Sequence, residues 1–286
     1  MTRKQINNIL IWLATIILVI IIMIPGLWVM LSAFRPQVDI MAKPAVWIPR
    51  NLSLLQFETM LFGGSEGSMG RSAVPVLDYL INSFTISILS TVIAVIVGTM
   101  GGYAFARYNF KGKNKYFLGI MLTRTVPGIS LSLPLFILFA RIGLIDTDFG
   151  IIIVYVALNI PFTVWLTDGF FRQIPKAMSE VAMTDGCTKL QAFWHIELPL
   201  AKSGIASAGI FAFLISWNEF AIVSSLARST DSKTLTVGLM DFTAQFVINW
   251  PGMCALAVVI IIPAFILTFL VQKHLVSGLT FGGVKG

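Results

Sequence analysis

The chain has 286 residues, 57% of them apolar and only 12% charged, with a formal net charge of +7 and a mean hydropathy of +0.87. A water-soluble domain of this length would carry about twice that charged fraction, so most of the chain has lipid as its solvent. No basic stripe with interleaved aromatics occurs, which argues against nucleic acid, and the two cysteines, Cys187 and Cys254, have no metal-ligand spacing.

In chain order, apolar stretches at about 9–31, 77–106, 116–140, 150–170, 203–226 and 252–271 each come close to or exceed the roughly 20 residues a bilayer-crossing helix needs. The expected fold is therefore all-α and integral to a membrane, with six transmembrane helices. The first stretch follows Arg3 and Lys4. It is longer than the roughly 7–15 residues of a signal-peptide core and lacks a small-residue cleavage site, so it is read as a retained anchor.

Basic residues in short loops orient the spans. With the N-terminus inside, the inner segments collect Arg107, Lys111, Lys113, Lys115, Arg172, Lys176, Lys189, Lys202, Lys273 and Lys285, besides Arg3 and Lys4. The outer segments hold Arg35, Lys43, Arg50, Arg71, Arg141, Arg228 and Lys233, spread over more residues. Both termini are expected in the cytoplasm. Residues 35–76 form an outer segment rich in Pro and Gly (Pro36, Pro44, Pro49, Gly63, Gly64, Gly67, Gly70). A second outer loop, 227–250, contains Thr234-Leu235-Thr236-Val237-Gly238 and then Phe242, Phe246 and Trp250, enough apolar surface to pack on a neighbour.

Polar residues at membrane depth are expensive and by default face a cavity or a partner. Arg124 in the third span either reaches to the headgroups or lines a pathway. Asn159 and Pro161 in the fourth, with Pro127 and Pro134 in the third, remove helix hydrogen bonds in ways tolerated beside a cavity. Trp217-Asn218-Glu219 in the fifth span reads either as an interfacial anchor with an interhelical hydrogen bond or as a solute-facing group. Gly98, Gly101 and Gly102 permit close helix approach.

Between the fourth and fifth spans lies a polar insert, 172–200. Pro175 suits a helix start, and Gly186 a left-handed helix end. Thr188 and Gln191 form a capping-box pattern, while Phe193, Trp194 and Ile196 make the second helix partly apolar and Pro199 closes it. The product is two short helices joined by a fixed elbow. An amphipathic connector lying in the headgroups has the same composition.

The order of residues in the insert is more specific. Glu180, Ala182, Asp185 and Gly186, followed by Phe193, Ile196, Leu198 and Pro199, resemble the EAA coupling loop of ABC-importer permeases, with Val181 where that family usually has Ala. The resemblance extends over essentially the whole chain, including Trp217-Asn218-Glu219-Phe220 and the tail 272–286 with its Gly278 to Gly286 segment. It is nearest to the smaller permease of maltose-type, carbohydrate-uptake systems. It implies a type I importer permease fold in a bacterial inner membrane, multi-pass, forming half of a carbohydrate pathway. The implied partners are a homologous second permease, two copies of a cytoplasmic ATPase that binds the ATP and Mg, and an external solute-binding protein. Glu180, Ala182, Asp185, Gly186, Phe193, Leu198 and Pro199 would couple to the ATPase. Glu180 and Asp185 would also fix the loop's geometry. Thr234, Leu235, Thr236, Val237 and Gly238 would touch the binding protein, and Gly278 to Gly286 would serve assembly.

The chain is not expected to be an enzyme or to hold a cofactor. Gly112-Lys113 has Arg107 where the leading glycine of a phosphate-binding loop belongs, and Asn114 follows. His195 and His274 have no nucleophile or metal partner nearby in sequence. The rival reading, an ion-driven carrier or channel acting alone, would call for inverted repeats and paired intramembrane carboxylates. No duplication is evident, and Glu219 is the single carboxylate well inside a span.

Overall fold

The computed structural model describes residues 3–44, 46–47, 49, 51–62, 74–243 and 248–280. Phe246, Gly63, Gly64, Gly67, Gly70, Arg50, Arg71 and the tail residues 281–286 lie outside them. Lipid cannot satisfy backbone N–H and C=O groups, so a chain this apolar closes them within helices. Among the described residues the single β feature is an isolated bridge, Thr243 to Ile248.

The long helices are α1 (Arg3–Ser32), α2 (Val76–Arg107), α3 (Lys113–Leu122), α4 (Gly128–Ile142), α5 (Asp148–Gln173), α6 (Lys176–Thr184), α7 (Lys189–Ala192, running on to Leu200), α8 (Lys202–Trp217) and α9 (Trp250–Thr280). Of these, α1, α2, α5 and α9 are long and apolar enough to cross a membrane singly; counting the bent pair α3–α4 and the bent pair α7–α8 as one span each gives six.

The third expected span is two helices bent by 95°, not one. The break falls at Val126 and Pro127, where both residues take extended backbone and Pro127 opens α4, as a proline biases its predecessor away from helix. Pro134 and Pro161, in contrast, sit inside continuous helices. The fifth expected span stops at Trp217 rather than Leu226. Residues 218–222 turn, and a separate short helix, Val223–Leu226, follows. The sixth runs through Thr280, so the first residues of the expected tail are helical. Pro199 does not close its helix: it lies in a final turn, Leu198–Leu200, and the 73° bend comes at Ala201.

Two compact units divide the chain. The first comprises residues 1–77 and 238–262. Here Arg35, counted above as an outer charge, is buried. Its guanidinium donates to Val46 O at 2.6 Å and Trp47 O at 3.2 Å and lies 4.6 Å from the centre of the Trp28 ring. Val46 and Trp47 are thus tied by their carbonyls to one cation. Gln37 bonds the backbone of Ile248 and Trp250 in the same unit.

The second unit, residues 78–237 and 263–286, carries the insert. Its helices α2 and α5 meet along Gly98, Gly101 and Gly102, which face Thr163, Val164 and Thr167. Thr167 Oγ1 donates to Gly98 O at 3.2 Å. A buried core of Ile86, Ile151, Tyr155, Val223 and Val237 fills one end of the unit. Phe193 with Ala106, Phe171 and Ala201 fills the end that bears the insert.

Candidate functional site

The insert folds as a hairpin of α6 and α7, and its turn chemistry is local. Pro175 caps α6. At its other end Gly186, at φ +95°, lets the chain reverse: its N–H bonds Met183 O at 3.2 Å, and the Cys187 N–H bonds Ala182 O at 3.0 Å, the Schellman arrangement. Thr188 and Gln191 form the reciprocal capping box that starts α7. A wider π turn, Phe193–Glu197, then precedes the last helical turn.

Two side chains anchor the hairpin to the unit. Phe193 is buried, its ring 4.5 Å from that of Tyr103 on α2. Glu197 is fully buried and accepts from Arg107 of α2: Nε lies 2.8 and 2.9 Å from its two oxygens, and Nη2 lies 2.6 Å from Oε2. Ser179 Oγ, on α6, donates to the same carboxylate at 2.6 Å, and Arg107 Nη2 also reaches Ile174 O at 3.0 Å. Neither Arg107 nor Glu197 was singled out as a site residue by the sequence. The only trace of the pair there was a carboxylate between Ile196 and Leu198, where an apolar residue would pack as well.

The expected coupling residues divide into two groups. Ala182 and Phe193 are buried and Leu198 is half-buried, so they build the hairpin. Glu180, Asp185, Gly186 and Pro199 are exposed on it. Among the described residues no hydrogen bond reaches the carboxylate of Glu180 or Asp185, so the loop's geometry is fixed elsewhere, by Gly186, the capping box and Glu197. Around them the hairpin presents Val181 (59% exposed), Leu190 (66%) and Trp194 (52%).

The expected pathway residues do not form one cluster. Asn159 is fully buried, its amide donating to Tyr155 O at 2.9 Å and Ser216 Oγ at 2.8 Å, with Ser216 in turn 3.2 Å from Ser90. Three helices are joined through it. Trp217 is buried against Phe84 and Phe213. Asn218 is exposed and donates to Leu214 O. Glu219 lies beyond the end of α8, not within it. Its two oxygens accept the N–H groups of Ile222 at 2.9 Å and Val223 at 3.1 Å, so it caps the helix that restarts there. Arg124, in a turn between α3 and α4, lies 5.0 Å from the Phe162 ring centre. Together with Phe117, Leu118, Met121, Phe162 and Trp165 it lines an open cavity of about 380 Å³.

The residues expected to meet an external protein are not exposed in this chain. Thr234, Leu235, Thr236 and Val237 are all buried and Gly238 is covered. Leu235 N–H donates to Ser83 Oγ at 2.7 Å and Thr236 Oγ1 to Glu219 O at 2.8 Å. Two apolar residues in a short segment fold into the unit instead of offering themselves to solvent. Exposed positions just before the segment include Arg228, Thr230 and Asp231. Asp146, at φ +60°, holds their loop by accepting from Arg228 N, Ser229 N and the Ser232 hydroxyl.

The chain is thus a series of membrane-length helices that carries a doubly capped hairpin between α5 and α8. The sequence profile of the binding-protein-dependent transport system inner membrane component matches residues 94–281, and the chain belongs to that family. It is 31% identical, over 96% of its length and 93% of the relative's, to the sulfoquinovosyl glycerol transport system permease protein SmoH of Agrobacterium fabrum. To the trehalose transport system permease protein SugB of Mycobacterium tuberculosis it is 34% identical over 92% of this chain and 93% of the relative. Among solved structures, a bacterial ABC transporter that imports the acidic polysaccharide alginate shares the fold. The TM-score is 0.77 at 21% identity, over 96% of this chain and 98% of that one. The chain is thus a multi-pass inner-membrane permease subunit with the type I importer fold.

Proposed function

We propose that this subunit forms half of the pathway by which a carbohydrate enters the cell, driven by ATP that a separate ATPase binds with Mg. The observation that carries the reading is the hairpin 176–200, capped at its elbow, anchored at its base and apolar on its exposed surface. A lever that bends absorbs displacement, whereas a capped and anchored one transmits it. On this reading the hairpin and both termini face the cytoplasm, supported by the concentration of Lys and Arg in those segments, and the ATPase grips Val181, Leu190 and Trp194 with Glu180 and Asp185 at the rim. A second, homologous permease closes the pathway, with the cavity beside Arg124 on the shared wall. An external binding protein delivers the solute, engaging Arg228, Thr230 and Asp231.

The carbohydrate class follows from the relatives, whose names specify sulfoquinovosyl glycerol, diacetylchitobiose and trehalose. Binding-protein delivery has a parallel in the alginate transporter solved with its sugar-bound periplasmic protein, of the same fold. A carrier driven by an ion gradient would need a titrating carboxylate at membrane depth, and Glu219 has both oxygens engaged by backbone N–H groups. The test is reconstitution in vesicles with the neighbouring permease, ATPase and binding protein. Sugar uptake should require ATP and all four components. Uptake by this chain alone, driven by a proton or sodium gradient, would overturn the reading.

A further inference from the structure

The hairpin is covalently continuous with α5 and α8 but not with α2, which packs on α5 through its glycine face. Besides this indirect route through α5, side chains of the hairpin touch α2 directly. Phe193 offers one such contact, an apolar one against Tyr103. Apolar contacts of this kind have no preferred direction and can slide. Another is Arg107, whose planar guanidinium binds a carboxylate in a fixed fork.

The guanidinium is bound by the hairpin's carboxylate and by a carbonyl just before the hairpin, and the carboxylate is in turn held by a second residue of the hairpin. Glu197 belongs to the outgoing arm, Ser179 to the incoming arm through the shared carboxylate, and Ile174 to the residues just before the hairpin begins. The pair is almost dry, with 9% of the Arg107 side chain and 1% of the Glu197 side chain exposed. A buried ion pair contributes little net stability over an apolar pair of similar volume. Its use at the foot of a lever is better explained by direction than by adhesion. Glu197 also stands at the end of the π turn, and π turns recur at functional sites.

We propose that Arg107 and Glu197, braced by Ser179, are positioning residues that carry displacement of the hairpin into α2 and so set how much solute moves per ATP hydrolysed. The inference rests on the transport reading above. The test uses the whole reconstituted transporter with three variants: Arg107→Lys, which keeps the charge and loses the fork; Glu197→Gln; and the apolar double variant Arg107→Met with Glu197→Leu, which keeps the packing. ATPase co-purification, ATP hydrolysis and uptake are measured on each. The expected result is normal ATPase co-purification and hydrolysis in the apolar double variant, where no charge is left unpaired, with uptake per ATP clearly reduced there and in every single variant that assembles.

An unchanged ratio of uptake to hydrolysis in every assembled variant would overturn the proposal. So would failure of all three to assemble, since the cluster would then only hold the hairpin together. If the wild-type transporter itself shows no ATP-dependent uptake, the transport reading fails instead, and the two failures are distinct.

Discussion

Gly98 stands so close to Thr163 that a Cβ on the glycine would lie 2.5 Å from both Cβ and Cγ2 of the threonine. Thr163 cannot turn away. Its β-branched side chain is stiff in a helix, and its hydroxyl is bonded to Asn159 O at 3.0 Å. Gly98→Ala should therefore force α2 and α5 apart and cost about 1–3 kcal/mol of stability, the usual range for overpacking. Thermal unfolding in detergent would show the loss; Thr163→Gly, which removes both clashing carbons, should cost less in the Gly98→Ala background than in the wild type. Additive losses would mean that the two residues do not share this contact.

Gly186 tests the elbow. A Cβ there meets nothing within 4 Å, so Gly186→Ala carries only the left-handed backbone cost, about 1–2 kcal/mol. It should lower the melting temperature slightly and spare ATPase co-purification. Gly186→Pro fixes φ near −65° and removes the N–H that bonds Met183 O; it should abolish co-purification. Equal behaviour of the two variants would show that the elbow does not shape the docking surface.

Glu219 distinguishes a cap from a solute site. Glu219→Ala removes the acceptor of two backbone N–H groups and should cost about 0.5–2 kcal/mol, as loss of a helix cap does. Glu219→Gln keeps one carbonyl acceptor and should retain most stability and most uptake. A Gln variant that is fully stable yet unable to transport would assign the carboxylate a direct role in translocation.

Asp146 links the outer loop to pH. Burial disfavours its charge, yet hydrogen bonds from Ser229, Ser232 and Arg228 outweigh that and hold its pKa at about 2, below the ordinary 3.8. A carboxyl lowered on folding contributes stability that is complete above the unfolded value and is lost as pH falls toward the folded one. Thermal stability of the wild type should decline between about pH 4 and 2 more steeply than that of Asp146→Asn. Parallel profiles would mean that this loop does not depend on the charge.

Much of the hairpin was legible in the residues because its determinants are local. Gly186 and the Thr188–Gln191 box act over three to five residues, and the structure contains both. The broken third helix was half legible: prolines pointed to interruption, but only Pro127 produces one. Pro134 and Pro161 are equally proline and leave their helices unbroken. The end of α8 at Trp217 was hidden, because apolar residues resume at Phe220 to Val223 directly after Asn218 and Glu219, and Glu219 reveals itself as a cap only once its oxygens are seen on their N–H groups. The segment 234–237 misled for a related reason: position between two spans says where a loop starts, not which way its side chains fold.

By itself the sequence determined the solvent, the number of apolar runs and the two caps of the hairpin, since these depend on composition and on neighbours a few residues away. The tertiary structure alone decided that Arg107 pairs with Glu197 across 90 residues, that Asn159 ties three helices together, and that Leu235 is buried beside Ser83. Partners so far apart in the chain meet only when helices pack, and packing selects among many equally apolar faces by shape, which no local pattern encodes.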